Sequence, residues 1–333
     1  REALTQAHQQ LDERAAALPA PLRALAIADG DGQDDRVHIR GNHRTLGEPA
    51  PRRLLEALDT PPVPEAERGS GRLRIAEAMV APSNPLTARV AVNHLWMRHF
   101  QEPLVPSVFD FGRNGQPPTH PALLDWLAAE LMEKGWSMKH MHRLIVTSNA
   151  YRRVSSNPKS EIQNWQSVDP DNRLLWRMNT SRMEAEVVRD SVLHLAGALD
   201  PKMGGQELEN TEAETSRRRS LYFSCHPEVG GRSAMAAMFD APEPTDCYRR
   251  TRSVLPQQAL ALTNSRLVHD HSAALVQQIG AEAPDFITAA FEHILSRPPT
   301  ADERATCSDF LSQGSKESLV RVLLNHNDFV TVR

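Results

Sequence analysis

Apolar residues along this chain return mostly every three or four positions, the spacing of helices that bury one stripe. Leu4, Leu11 and Leu18 recur at heptad intervals with Ala7 and Ala15 beside them, which predicts an amphipathic helix closed by Pro19 and Pro21. In "DDRVHIRGNHR" the period changes. Val37 and Ile39 alternate with polar neighbours, predicting a short strand that closes in a Gly-Asn turn. "DTPPVPEAERGSGR" is Pro-rich and then Gly/Ser-rich, and reads as a linker.

Helical spacing is dense from residue 72. "RLRIAEAMVA" and "PLTARVAVNHLWMRHF" are two helices, the second with Val90, Asn93, Met97 and Phe100 on one face. Thr119 is placed to cap the next helix, with Pro121 in its first turn and Leu123, Leu124, Leu127 and Leu131 inward. Ser137 caps another, with Met138, Met141, Leu144 and Ile145 inward. Ser181 and Glu184 have the spacing of a capping box before "AEVVRDSVLHLAG", and Thr300 and Glu303 repeat it. Asp200 to Ser216 reads as a long mobile loop and "RRRSLYFS" as a second strand. Further helices are expected at 256–265, 266–279, 285–296, 301–312 and 316–325. The expected fold is mainly α, a multi-helix globular domain with a few short strands. Residues 1–71 form an N-terminal helix, strand and linker, and 72–333 the helical domain.

Composition narrows the function. The 333 residues carry 38 basic and 42 acidic side chains, a formal charge of -4. That balance supplies no basic field for nucleic acid or an anionic membrane surface. No apolar run is long enough to span a bilayer. Cys225, Cys247 and Cys307 form no CxxC or CxxCH, so no haem attachment or zinc-ribbon site is expected, and no cofactor is assigned. The first residues, "REALTQAHQQ", have neither initiator Met nor leader pattern and read as a piece of something longer.

Candidate chemistry centres on "FDFGRNGQPPTHPALLDWLAAEL". Asp110, His120 and Asp125 can form an acid–base group, since a carboxylate orients a His for proton transfer. They can equally organise a turn and a helix start. Arg40 and His43, at the tip of the "RGNH" turn, are candidate ligand contacts. "SRMEAEVVRD" supplies Arg182, Arg189 and Asp190, with Arg189 spaced to pair with Glu186. Arg219, Arg249 and Arg250 can clamp oxyanions or pair internally with Asp240, Glu243 or Asp246. The 14 histidines suggest no metal site, because His140/His142, His269/His271 and His94/His99 are each badly spaced on one helix.

Several phrases together, "NPLTARVAVNHLW", "DFGRNGQPPTHPALLDWLA", "GWSMKHMHRLIVTSNAYR", "NRLLWRMNTSRMEAEVVRDSVL" and "RSVLPQQALALTNS", resemble the C-terminal domain-of-unknown-function family of planctomycete multidomain, cytochrome-c-associated (PSD-type) proteins. The likeness runs from about "VHIRGNHRTLGEP" to the last residue. It departs at His94, where the family has Arg, at Gln101, where it has Gly, and at Ala122, where it has Glu. The resemblance implies an exported, extracytoplasmic protein in which this module follows others, among them a c-type cytochrome domain. The resulting expectation is a non-catalytic binding or assembly module that docks on upstream domains and presents a saccharide- or anion-binding surface. A polysaccharide hydrolase and an accessory that positions a cytochrome are the alternatives.

Overall fold

A computed structural model describes residues 2–17, 26–30, 32–55, 69–155, 162–242, 244, 250, 253–281 and 283–332. The chain divides into two compact units, Arg1–Thr87 and Ala88–Arg333. The protein is mainly α, with thirteen α-helices and two two-stranded sheets among the described residues.

The first unit holds α1 (Glu2–Ala17), β1 (Asp35–His38), β2 (Leu46–Ala50) and α2 (Arg72–Val80). β1 and β2 form an antiparallel hairpin in the register Asp35↔Ala50, Arg36↔Pro49 and His38↔Leu46. The expected single strand is thus one arm of a hairpin, whose tip begins with a 3-10 turn at Ile39–Gly41. Most of the linker stretch lies outside the described residues. α2 has no buried residue, and Leu73 is 73% exposed.

The second unit contains two hydrophobic cores. α3 (Thr87–Phe100), α4 (Pro121–Glu133) and α5 (Met138–Val146) surround Val92, Phe100, Leu127, Leu131, Met141 and Ile145. Each fully buried aliphatic or aromatic side chain here contributes roughly 1.5–3 kcal/mol by leaving water. α5 is capped by Ser137 as the sequence predicts, its hydroxyl accepting from the His140 amide. Met138 instead points outward at 49% exposure. At position 138 the helix has only begun, and its buried stripe runs through Met141 and Ile145.

After α6 (Ile162–Val168) and β3 (Ser181–Arg182), the second core gathers α7 (Ala185–Leu195), α8 (Ala234–Met238), α9 (Pro256–Asn264), α10 (Arg266–Ile279), α11 (Phe286–Leu295), α12 (Ala301–Leu311) and α13 (Lys316–Leu324). α10 packs on α7, α9, α11 and α13 and buries Leu267, Val268 and Leu275. β4 (Thr331–Val332) pairs antiparallel with β3, bringing Phe329 and Val330 into this core. α7 ends in a Schellman turn: Ala198 donates to the Leu193 carbonyl and Gly197 to that of His194. Gly197 there has φ 66°, and a Cβ would stand 2.7 Å from the Gln278 amide nitrogen.

Four local expectations are corrected. Ser181 does not cap α7, because it is in β3; Glu184 is the N-cap, without a side-chain bond. Thr119 does not cap α4, whose N-cap is His120. "RRRSLYFS" forms a 3-10 turn and two isolated bridges, Asp200↔Arg218 and Leu208↔Phe223, rather than a strand. The 200–216 segment is fastened by Asp200 to Arg217, Leu208 to Tyr222, and Arg189 to Ala213 and Ser216.

Candidate functional site

The second unit carries a polar cleft of about 510 Å³. Three chain segments meet there, and each is held by hydrogen bonds that the local sequence provides. The first follows α3. Asn93, fully buried, accepts from the Val105 amide at 2.8 Å and donates to its carbonyl at 3.2 Å, fixing residues 103–105 on the helix. Gln101 turns the chain out of α3 with φ 68°. This left-handed conformation is the one that glycine adopts without cost.

The second segment is the start of α4. Thr119 donates its amide (2.8 Å) and hydroxyl (3.3 Å) to the Leu104 carbonyl. That hydroxyl also lies within hydrogen-bond distance of His120 Nδ1, at 2.9 Å. His120 lines the cleft.

The third segment is the loop 169–180. The Asp169 carboxylate accepts from the amides of Arg173 and Leu174 at 2.9 and 2.8 Å, and its carbonyl from Trp176 Nε1 at 2.9 Å. Asn172, 2% exposed with φ 54°, accepts from the Arg177 amide and donates to the Arg177 carbonyl and to Asn179 Oδ1. Asn179 in turn donates to the Phe100 carbonyl at 2.8 Å, hanging this loop on the end of α3. Glu102, Asp171, Arg173 and Arg177 add both signs of charge to the lining. The Trp96 indole is buried and stacks on Phe100 with centroids 4.1 Å apart.

A second, smaller cavity of about 140 Å³ lies beside α7, lined in part by Glu186, Arg189, Ser220, Cys225, Arg232 and Met235. Around it runs an ion network. Arg189 donates to the carbonyls of Ala213 (2.7 Å), Arg218 (2.9 Å) and Ser216 and to Asp190 at 3.1 Å. Burial holds its pKa below the ordinary value, against the pull of Asp190. Asp190 accepts the Ser220 hydroxyl at 2.6 Å and its amide at 2.9 Å. Arg250 forms a two-pronged pair with Glu186 at 2.6 and 3.1 Å and stands 3.4 Å from Glu184. Burial works to lower its pKa, but the hydrogen bonds to Glu186 and both carboxylate charges raise it above the ordinary value.

The predicted site residues fall into separate places. Asp110 accepts the Gly112 amide at 2.7 Å and shapes its own turn, and Asp125 pairs with Arg89 at 2.8 Å. Neither is among the residues lining the cleft that holds His120. Arg40, with φ 53°, and His43 are exposed at the hairpin tip of the first unit. Arg182 donates to Gln258 at 3.0 Å, and Asp240 accepts the Ser253 amide and hydroxyl at 2.7 and 2.9 Å. Arg219 is half-buried beside Ser220, while Arg249, Glu243 and Asp246 lie outside the described residues. Arg189 pairs with Asp190 rather than Glu186, which is taken by Arg250.

Missed from the sequence were Glu102, Asp171, Arg173, Arg177 and the two asparagines. The signal was present in "VDPDNRLLWRMN", whose Asp, Pro and Asn mark a turn built on side-chain hydrogen bonds. Also missed was a contact between helices: His99 Nε2 lies 2.8 Å from His142 Nδ1. His140, two residues away, faces Glu130 at 2.7 Å.

A mainly helical unit with a hydrogen-bonded polar cleft defines the class of this protein by shape alone. Residues 71–311 match the family PSD1, described as a protein of unknown function (DUF1553), and the chain belongs to that family. No curated protein and no solved structure matches the chain. Among the described residues, no helix is long and apolar enough to cross a membrane.

Proposed function

We propose that this chain is a non-catalytic binding module of a larger exported protein, and that its ligand-contacting surface is the polar cleft of the second unit. The supporting observation is how the polar groups are used. Asp110 and Asp125 are committed to a turn and to Arg89, whereas the cleft offers guanidinium, carboxylate, imidazole and amide groups on a lining of about 510 Å³. A cleft of this size, with donors and acceptors of both charges and walls held in advance by hydrogen bonds, suits a hydroxyl-rich ligand such as an oligosaccharide. The exported setting, the upstream domains and the neighbouring c-type cytochrome domain rest on the motif resemblance.

The test is calorimetric titration with neutral, sulfated and uronic-acid oligosaccharides. Binding by the wild type, weakened at least about tenfold in Arg173→Ala or His120→Ala with an unchanged melting temperature, is the expected result. No binding, or binding indifferent to both substitutions, removes the cleft from the reading.

One feature favours a hydrolase instead. Glu102 and Asp171 line the same cleft as His120, and two carboxylates flanking a glycosidic bond are the usual glycosidase equipment. Release of reducing ends from any bound glycan, abolished by Asp171→Asn, would establish that alternative.

A further inference from the structure

We infer that His99 and His142 form a pH-sensitive latch between α3 and α5, beside the segment that enters the cleft, closed while at least one ring is neutral and open when both are protonated. As regulation of a ligand site, this rests on the cleft reading above; as a device in the fold, it stands on its own geometry. His99 is next to last in α3, His142 lies in the middle of α5, and the two facing nitrogens are 2.8 Å apart. The rings meet nearly edge to face, at 70° with centroids 5.1 Å apart. That centroid spacing is what two imidazoles meeting nitrogen to nitrogen produce. Such a contact needs one N–H and one lone pair, and two imidazolium rings have no lone pair to offer.

Among the described residues, neither ring has an acidic partner to hold a second proton. Tyr151 stands edge-on to both His99 and Phe100, at 5.8 and 6.0 Å. The other titratable or charged groups on these segments are Arg89, His94 and Arg98 on α3, Glu102 just after it, Lys139, His140 and Arg143 on α5, with His140 facing Glu130 on α4, and Arg152 and Arg153 after Tyr151. Arg98, the neighbour of His99, is paired with Glu184 at 2.9 Å, and Glu184 also stands 3.4 Å from Arg250. Among the described residues, no carboxylate lies within ion-pair distance of either ring. Burial first, and the facing His142 second, lower the His99 pKa below its ordinary 6.5. With the folded value depressed, the unfolded chain binds more protons below pH 6.5, so stability falls as pH falls through that window and is complete above it.

The latch connects directly to the cleft. The residue after His99 is Phe100, whose carbonyl holds Asn179, and Gln101 to Leu104 line the cleft itself. Arg153, two residues past Tyr151, donates to the Trp176 carbonyl in the opposite wall. Freeing the end of α3 from α5 therefore loosens two of the three cleft segments together.

The experiment replaces the pair by amides that reach the same positions without titrating, His99→Gln with His142→Asn. Thermal melts of the full chain are compared from about pH 7.5 down to about pH 5.5. The wild type is expected to lose about 2–4 °C more than the amide pair over this range. Equal slopes overturn the latch. Should the double variant fail to fold, NMR titration of the wild-type rings decides. Coupled titration with one midpoint below the ordinary histidine value supports the latch; two independent midpoints at that value overturn it. Where a glycan has been found, its affinity is measured over the same range and should weaken on acidification in the wild type only. The melts need no ligand, so failure of the latch and failure of the cleft reading remain distinguishable.

Discussion

The cleft and the ion network on α7 are both rich in polar side chains, and they use them in opposite ways. On α7, Arg189, Asp190, Glu186 and their partner Arg250 all find internal partners, mostly backbone carbonyls, hydroxyls and each other. Their charges fasten the 200–224 segment and Arg250 onto a helix. In the cleft, most of the side chains that hold the walls are neutral amides, Asn93, Asn172 and Asn179, joined by the Asp169 carboxylate, which accepts only from backbone amides. Glu102, Asp171, Arg173 and Arg177 line the cleft, and Arg177 also donates to the Met178 carbonyl. Charge density along a sequence thus marked the scaffold, and turn chemistry marked the open surface.

The comparison breaks first at Arg189. Its side chain is 5% exposed, and removal leaves three carbonyls and the Asp190 carboxylate short of a donor. Arg189→Ala is expected to cost about 3–5 kcal/mol, the usual penalty for stranding buried charge and polar groups. Urea unfolding would measure it. A loss below about 1 kcal/mol would mean that the network is dispensable and its residues available for a ligand.

Asn172 is the corresponding test on the cleft side. Asn172→Ala removes bonds to Arg177 and Asn179 and places a Cβ-branch-free but non-glycine residue at φ 54°. A loss of about 1–3 kcal/mol is expected. Asn172→Gly relieves the backbone term, so the difference between the two variants isolates the backbone cost, and the loss that Asn172→Gly retains reports the side-chain bonds. Weakened ligand binding should accompany both, because loop 169–180 forms one wall. Arg189→Ala should leave the affinity of molecules that remain folded unchanged.

Much of the helical framework was legible in the sequence because it depends on short-range rules. The helices at 266–279 and 316–324, the Ser137 cap and the Thr300–Glu303 capping box all follow from spacing and caps within four residues. The candidate sites depend on which distant segments meet. Thr119 had the chemistry of a cap, but its hydroxyl is drawn to Leu104, fifteen residues earlier. Ser181 was drawn into pairing with Val332 at the far end of the chain. His99 and His142 were weighed only against histidines on their own helices, while their contact spans 43 residues. At Gln101 the motif resemblance carried a usable hint, since it implies Gly at the position where this backbone has φ 68°. Gln101→Gly is therefore expected to raise stability by up to about 1 kcal/mol, read as a higher melting temperature. A fall would show that contacts of the Gln side chain outweigh the backbone relief.

The smallest effect is expected at Asp125, and its smallness is informative. The carboxylate is 57% exposed and pairs with Arg89, itself 33% exposed, at 2.8 Å. An ion pair so open to solvent contributes about 0–1 kcal/mol, since water screens the attraction and ordering two flexible side chains opposes it. Asp125→Asn preserves the shape and removes the charge, so melting should shift by no more than about 2 °C. The acid–base reading of Asp110, His120 and Asp125 demands something different, because a carboxylate that orients a catalytic His cannot be neutralised without a large loss of turnover. Measured on whichever glycan the wild type binds, Asp125→Asn should therefore keep full affinity while His120→Ala loses it. If both variants fail together and the fold is intact, Asp125 acts with His120 despite its pairing with Arg89, and the boundary between scaffold and site drawn here would have to move to include α4.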